Sequence, residues 1–178
     1  MKYKHKIVLV DYKMGNYHSV TRSLHRIGVE SSISSNPEVI LSADKIILVG
    51  VGHFKKAMEN LQSLNLIECL NEFALTQKKP VLGICLGMQL MGRTSDEDGL
   101  SKGLNLINNK VRKFSLKDTK KNKIPHVGFN NLNFNTNNRF FRGIKKNHDF
   151  YFNHSHRMLV EKFKGDYSYT IYGKKFLS

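Results

Sequence analysis

The chain has 178 residues, of which 40% are hydrophobic, and its formal net charge at pH 7 is +15. This length and apolar content predict one globular domain with a core, and they exclude a disordered tail or a two-domain enzyme. No apolar run approaches the roughly eighteen residues of a membrane span, and the one after the basic N-terminus is too short for a secretory signal. We therefore expect a cytoplasmic protein without a membrane partner.

The first half of the chain alternates short apolar runs with segments of helical periodicity. Residues 7–10, 45–49 and 80–84 have the composition of buried parallel strands. Helical spacing follows each of them: Val20, Leu24 and Ile27 form one face that ends at Gly28, and further helices are predicted over 54–61, 66–74 and from Leu86 onward. This alternation predicts an α/β fold with a parallel sheet and helices on both faces.

The second half changes in character and in charge. Residues 111–116, 126–134, 150–158 and 167–176 are predicted strands, separated by Asn-, Gly- and Lys-rich loops with no long helix. We expect them to add antiparallel strands to a mixed sheet within a single domain, residues 1–178. Residues 101–178 carry seventeen Lys and Arg against four Asp and Glu, a net charge of +13. We interpret these charges as a solvated surface, because aromatic residues do not alternate with them as in RNA-binding proteins.

Cys85 stands where a predicted strand meets a predicted helix. Gly83 and Gly87 flank it two residues away on each side, which is the pattern of a nucleophile elbow with Cys in place of Ser. The start of a helix favours the thiolate, and the backbone N–H of Leu86 would point toward a developing oxyanion. The alternative is a small buried residue at a strand end. We interpret the other cysteine, Cys69, as core packing.

A second glycine pair follows the strand 45–49. Gly50 and Gly52, on either side of Val51, would let the backbone approach a ligand and turn its N–H groups inward. The alternative is an ordinary turn at a strand end. Neither cysteine has a second one at the spacing of a metal site, and no phosphate-binding glycine loop is present, so we expect no metal and no cofactor. We interpret the acidic residues 96–98 as a solvated turn.

Five segments resemble class I glutamine amidotransferases, and in particular the glutaminase subunits of imidazole glycerol phosphate synthase. They are residues 10–20, 50–54, 83–89, 125–130 and 150–156. The resemblance implies a flavodoxin-like mixed sheet flanked by helices. It implies that Cys85 attacks the side-chain amide carbon of glutamine and that the oxyanion lies between the Leu86 N–H and the loop of Gly50, Val51 and Gly52. It also implies that Gln89, Gly52 and Ser155 lie near the bound glutamine.

The resemblance implies a partner as well. The ammonia would pass to a (β/α)8-barrel synthase subunit in a heterodimer that serves histidine biosynthesis. Departures from the family at Lys13, Val49, His53 and His156 leave open a second copy that supplies ammonia to a surface-polysaccharide sugar. Two further alternatives are a binding subunit without catalytic activity, and a basic nucleic-acid-binding protein, although we do not expect nucleic acid as the partner.

The family also carries a His and a Glu near the C-terminus, and these act as the base and its orienting group. No His follows His156 in this sequence. Three explanations remain open: a shortened gene, an incomplete sequence, or a subunit that activates its partner without hydrolysing glutamine. His154 or His156 could substitute as the base, although both match a segment that lines the substrate site in the family.

Overall fold

The structure is a computed structural model that describes residues 5–119, 122–134, 139–145, 148–161 and 166–178. Two compact units make up the chain, Met1–Ile107 and Asn108–Ser178. Whether they form one domain, as the composition predicts, stays a prediction. Within the described residues no helix has both the length and the apolar content to cross a membrane.

A four-stranded parallel sheet forms the centre of the first unit. Its strands are β1 (Ile7–Val10), β2 (Ser31–Ser34), β3 (Lys45–Gly50) and β4 (Val81–Cys85), in the order β2-β1-β3-β4. Val8, Leu9 and Val10 are fully buried, as their apolar run predicts. β2 was not predicted from the sequence. It lies at the edge of the sheet and consists of serines around one isoleucine, so it lacks an apolar run.

Five helices flank this sheet. They are α1 (Tyr17–Arg26), α2 (Pro37–Leu41), α3 (Phe54–Ser63), α4 (Leu66–Asn71) and α5 (Leu86–Leu90), and a π-helical turn, Glu72–Thr76, continues α4. The side-chain oxygen of Asn16 caps α1 by accepting the N–H of Ser19. Val20 and Leu24 pack against the sheet core, as predicted. The prediction for Ile27 was wrong: the helix ends at Arg26, and Ile27 is 73% exposed.

The remaining strands are antiparallel, which confirms the prediction for the second half. The first unit ends in a short hairpin of β5 (Thr94–Ser95) and β6 (Ser101–Lys102). In the second unit β7 (Lys110–Lys113), β10 (His156–Leu159), β12 (Lys174–Leu177) and β11 (Tyr169–Tyr172) are neighbours in that order. A separate pair consists of β8 (His126–Asn131) and β9 (Asp149–His154).

Two of the predicted strands of the second unit are in fact pairs of strands. The segment 150–158 is interrupted at Ser155, where β9 gives way to β10. The segment 167–176 turns at Gly173, whose φ of +73° belongs to the left-handed region. A Cβ at this position would lie 2.2 Å from the carbonyl oxygen of Asp118. Glycine is therefore required both by the backbone angle and by the lack of space.

One of the basic residues of the second unit is buried, contrary to the interpretation of these charges as a solvated surface. Arg157 is 5% exposed, and its Nη2 donates to Oδ2 of Asp118 at 3.1 Å. Lys174 approaches the other oxygen of the same carboxylate at 2.7 Å. Hydrogen bonds from Lys174, Ser115 and Arg157 hold the pKa of Asp118 well below its usual range. This ion cluster therefore fixes β10 to the turn that precedes β8.

Candidate active site

The predicted turn between a strand and a helix is present at Cys85. β4 ends at this residue and α5 begins at Leu86, while Cys85 itself has φ +55° and ψ −115°. A positive φ is uncommon for a residue with a side chain, and it persists only where the surroundings hold it. The Cys85 side chain is exposed. Strand, strained turn and helix together present the thiol at the carboxyl end of the sheet.

The two flanking glycines are required by close packing. A Cβ at Gly87 would lie 1.8 Å from the carbonyl oxygen of Leu48 in the neighbouring strand β3. A Cβ at Gly83 would lie 2.5 Å from the Cα of Met88. Both distances are far below any van der Waals contact. The glycines thus let α5 fold back tightly over β3 and β4.

The acidity of the Cys85 thiol differs from the expectation that the helix start would favour the thiolate. The surrounding protein desolvates the thiolate, which raises the pKa of Cys85, and a hydrogen bond from the backbone N–H of Leu86 lowers it in part. The effect of burial is the larger of the two. The nucleophile therefore needs further groups that stabilise its negative charge.

The glycine loop lies beside the nucleophile. Gly50 pairs in parallel register with Cys85, so the loop leaves β3 next to the elbow. The expectation for Val51 needs correction, because its N–H donates to the carbonyl oxygen of Met14 at 2.8 Å. Val51 could donate to an oxyanion only after this bond breaks. Gly52 has φ +117°, a backbone conformation that glycine adopts readily.

A tyrosine that the sequence did not single out lies beneath this loop. Tyr12 is fully buried, and a Cβ at Gly50 would lie 2.2 Å from its hydroxyl oxygen. Its backbone N–H donates to the hydroxyl oxygen of Tyr17 at 3.1 Å, and its carbonyl oxygen accepts from Nδ2 of Asn60 at 3.0 Å. A tyrosine after an apolar strand has no distinguishing pattern, so only the packing reveals this position.

A histidine next to the loop was noted in the sequence only as a departure from the family. His53 Nδ1 lies 2.9 Å from Oδ2 of Asp98 and 3.7 Å from Oε1 of Glu97. The other oxygen of Glu97 accepts the backbone N–H of Phe54 at 2.8 Å. The segment 96–98 is a turn whose Asp96 and Asp98 are exposed, as predicted, whereas Glu97 is partly buried and holds the start of α3.

The other two predicted substrate contacts lie in different units. Gln89 is buried in α5, one helical turn after Cys85. Ser155 belongs to the second unit, where its carbonyl oxygen accepts the N–H of Phe114 at 2.9 Å. The contacts of both residues with glutamine stay predictions.

A pair of histidines in the second unit forms a hydrogen-bonded relay. His154 Nδ1 lies 2.7 Å from the carbonyl oxygen of His156, which can only accept, so His154 carries its proton on Nδ1. Burial lowers the pKa of both histidines and so favours neutral rings, and a neutral His154 accepts at Nε2 from His126 Nδ1 at 3.1 Å. The ring of His126 stacks on Tyr172, with ring centroids 3.9 Å apart. Both ring nitrogens of His154 are thus engaged in hydrogen bonds, which leaves no free lone pair and argues against His154 as a substitute base.

We expect this pair to make the second unit sensitive to acid. Burial, with a smaller contribution from the charge of His154, lowers the pKa of His126 to about 4. An unfolded histidine titrates near pH 6.5, so between pH 6.5 and 4 the unfolded state binds more protons and stability falls as the pH falls. The free energy of unfolding should decrease by up to about 1.4 kcal/mol per pH unit for this one proton.

Hydrogen exchange of the β8 and β9 amides at pH 7, 6 and 5 would measure this slope. His126→Gln should flatten it, whereas His18→Gln, a change at an exposed position of α1, should not. A slope that persists in His126→Gln would assign the acid sensitivity to another group.

Comparison with known proteins places these features in a wider group. A sequence model described as "Glutamine amidotransferase class-I" matches residues 8–171. The chain is 43% identical to imidazole glycerol phosphate synthase subunit HisH 1 of Campylobacter jejuni (strain 81-176), covering 97% of this chain and 84% of that protein. It is 42% identical to subunit HisH 2 of Methanococcus maripaludis, again covering 97% of this chain and 84% of the relative.

Solved structures share the fold at much lower identity. A putative GMP synthase protein from Thermoplasma acidophilum superposes with a TM-score of 0.62 and 18% identity, over 90% of this chain and 69% of the other. A glutamine amidotransferase from Thermotoga maritima gives a TM-score of 0.55 and 13% identity, over 96% of this chain and 73% of the other. These likenesses support the fold alone.

Proposed function

Because this chain belongs to the class I glutamine amidotransferase family, we propose that Cys85 is the nucleophile with which it hydrolyses glutamine to supply ammonia for imidazole glycerol phosphate formation. The observation that carries the proposal is the strained elbow at Cys85, built between Gly83 and Gly87 and in register with Gly50. The relatives named as HisH subunits support the histidine pathway as its setting. The comparisons support neither the surface-sugar alternative nor the non-catalytic one.

The proposed reaction proceeds through a thioester. The Cys85 thiolate attacks the side-chain amide carbon of glutamine, and negative charge moves to the amide oxygen, near the Leu86 N–H. The tetrahedral intermediate collapses when the C–N bond breaks and the leaving nitrogen takes up the proton that the Cys85 thiol gave up, so that ammonia departs. Water then attacks the thioester carbonyl, releases glutamate and returns the thiol.

The acceptor of the ammonia would be a partner subunit. The relatives are named as subunits of a synthase, and the chain accordingly has a partner subunit in a complex. We propose that this partner is a (β/α)8-barrel synthase and that the two form a heterodimer. Ammonia released at Cys85 would pass to the synthase active site within the complex.

An exposed apolar surface on the β8–β9 pair supports such a partner. Val127, Phe129 and Tyr151, which we call the hairpin face, are 54%, 73% and 59% exposed. Phe129 and Tyr151 lie directly opposite each other in the register, and their rings pack edge to face with centroids 5.3 Å apart. Exposed aromatic pairs of this kind mark protein interfaces more often than solvated surfaces.

Phe129→Asp should weaken the complex with the synthase subunit by at least about tenfold in Kd, because a buried interface aromatic typically contributes more than 1 kcal/mol. Isothermal titration calorimetry would measure the change. Leu116→Asp is the matched control, since Leu116 is 66% exposed in the same unit but outside the hairpin face. If both variants bound the synthase subunit with the same Kd as the unchanged chain, the hairpin face would not be part of the interface.

Glutamate release from glutamine, with and without the synthase subunit, tests the function itself. Turnover that depends on Cys85 and rises with the synthase supports the proposal. A deletion strain separates the pathways: a requirement for histidine supports the proposed one, whereas normal growth without histidine and an altered surface sugar would contradict it.

A further inference from the structure

The hydroxyl of Tyr12 is buried without a hydrogen-bond partner. Tyr12 is 0% exposed, and within the described residues its hydroxyl oxygen makes no hydrogen bond. Leaving a buried hydroxyl unpaired destabilises a fold, whereas phenylalanine would fill the same space without that cost. Packing therefore explains the aromatic ring of Tyr12 but does not explain its hydroxyl.

This hydroxyl lies at the junction of the glycine loop and the elbow. A point where a Cβ would stand on Gly50 is 2.2 Å from the Tyr12 hydroxyl oxygen and 2.9 Å from the backbone nitrogen of Gly87. Gly50 is also the residue that pairs with Cys85 across β3 and β4. Cys85 is also among the groups that raise the pKa of Tyr12, so the two side chains lie within electrostatic range of each other.

The surrounding structure fixes Tyr12 at this place and keeps it protonated. Tyr17 and Asn60 hold its backbone N–H and carbonyl oxygen. Burial, reinforced by the neighbouring Tyr17 and Cys85, raises the pKa of Tyr12 far above its ordinary value. The group is thus a neutral hydrogen-bond donor at every pH at which the protein works.

We propose that the Tyr12 hydroxyl is a donor kept free for the negative charge that forms at Cys85. The inference rests on the proposed role of Cys85 as nucleophile. In the described structure the hydroxyl makes no hydrogen bond to the Cys85 sulfur, and a protonated thiol, being a poor acceptor, would gain little from one. The thiolate is a strong acceptor, and a second donor beside the Leu86 N–H would offset the desolvation of this site.

Alkylation of Cys85 by iodoacetamide as a function of pH tests the inference without any partner subunit. Tyr12→Phe, in a Cys69→Ala background, should shift the midpoint of the rate profile upward by about one pH unit, because a hydrogen bond to a charged group is lost. Its thermal stability should be equal or higher, since the change removes an unpaired buried hydroxyl.

Turnover of the Tyr12→Phe variant gives a second readout. With the synthase subunit present, its kcat for glutamate release should fall roughly tenfold, because a rise of one unit in the pKa of Cys85 leaves about one tenth as much thiolate. KM for glutamine should stay unchanged, because the amide is neutral in the ground state.

Tyr17→Phe is the matched control for stability. Its hydroxyl accepts the backbone N–H groups of Tyr12 and Met14, so its removal should lower the melting temperature. An unshifted alkylation profile with unchanged kcat in Tyr12→Phe would overturn the inference. A lower melting temperature in Tyr12→Phe would overturn it too, because the hydroxyl would then have a structural partner. Full turnover in Cys85→Ala would reject the proposed function instead, so the two failures are distinguishable.

Discussion

Cys85→Ala is expected to abolish glutamine hydrolysis in the complex, with a loss in kcat on the order of 10⁶-fold, as for removal of other enzyme nucleophiles. A thioester requires a thiol, and the only other cysteine of the sequence, Cys69, is buried, so it cannot take the place of Cys85. Stability should change little, because the Cys85 side chain is exposed and alanine removes only its sulfur atom. Glutamate release by the variant, assayed with the synthase subunit present, measures the effect.

Cys69→Ala is the matched control for this change. Cys69 is 6% exposed, and its Sγ lies 3.7 Å from the carbonyl oxygen of Pro37, so it belongs to the core, as predicted from the sequence. Its replacement should lower stability modestly and leave kcat unchanged. Binding of the synthase subunit should survive in both variants, because the hairpin face lies in the second unit. Residual turnover above one hundredth of normal in Cys85→Ala would require another nucleophile.

The elements of the first unit could be predicted wherever composition reports burial. β1 and β3 are apolar because both faces of a central parallel strand are covered. β4 is apolar as well and was predicted as a buried strand, but it lies at the edge of the sheet, and its Leu82 and Ile84 are 38% and 36% exposed. β2 escaped prediction because an edge strand of serines has no such signal, and pairing with β1 alone defines it. In the second unit the break at Ser155 falls within the polar run 153–157, and the prediction of one continuous strand over 150–158 passed through that run. The periodicity of apolar residues indicates which face of a strand is buried, but it does not indicate where one strand ends and the next begins.

In the candidate site, too, local sequence patterns predict some features, whereas others depend on the folded structure. Cys85 and its glycines could be predicted because an elbow requires small residues at fixed positions. The hydrogen bond from Val51 to Met14 could not, since it joins two loops that only the folded sheet brings together. The approach of Tyr12 to Gly50 and the pairing of His53 with Asp98 join residues that lie 38 or more positions apart in the chain. No local sequence pattern predicts such contacts. Long-range packing therefore decides how this family motif is arranged here.

Gly87→Ala is expected to destabilise the first unit by about 3 kcal/mol or more. Helix propensity alone predicts the opposite, because alanine in a helix is favoured over glycine by roughly 1 kcal/mol. The added methyl would stand 1.8 Å from the carbonyl oxygen of Leu48 and 2.5 Å from its carbonyl carbon. These are backbone atoms of a central strand and cannot rotate away, so α5 would have to lift from β3. Chemical denaturation followed by circular dichroism measures the change.

Gly28→Ala separates this steric effect from the ordinary cost of replacing glycine. Gly28 has φ +74°, and a Cβ there would meet no atom within 4 Å. Its replacement should cost only the backbone strain of the left-handed region, about 1–2 kcal/mol. If Gly87→Ala proved no more destabilising than Gly28→Ala, α5 would have room to move away from β3. Because Cys85 immediately precedes α5, a rigid elbow also predicts that the alkylation rate of Cys85 changes in any folded Gly87→Ala protein. A folded variant with an unchanged alkylation rate would contradict that rigidity.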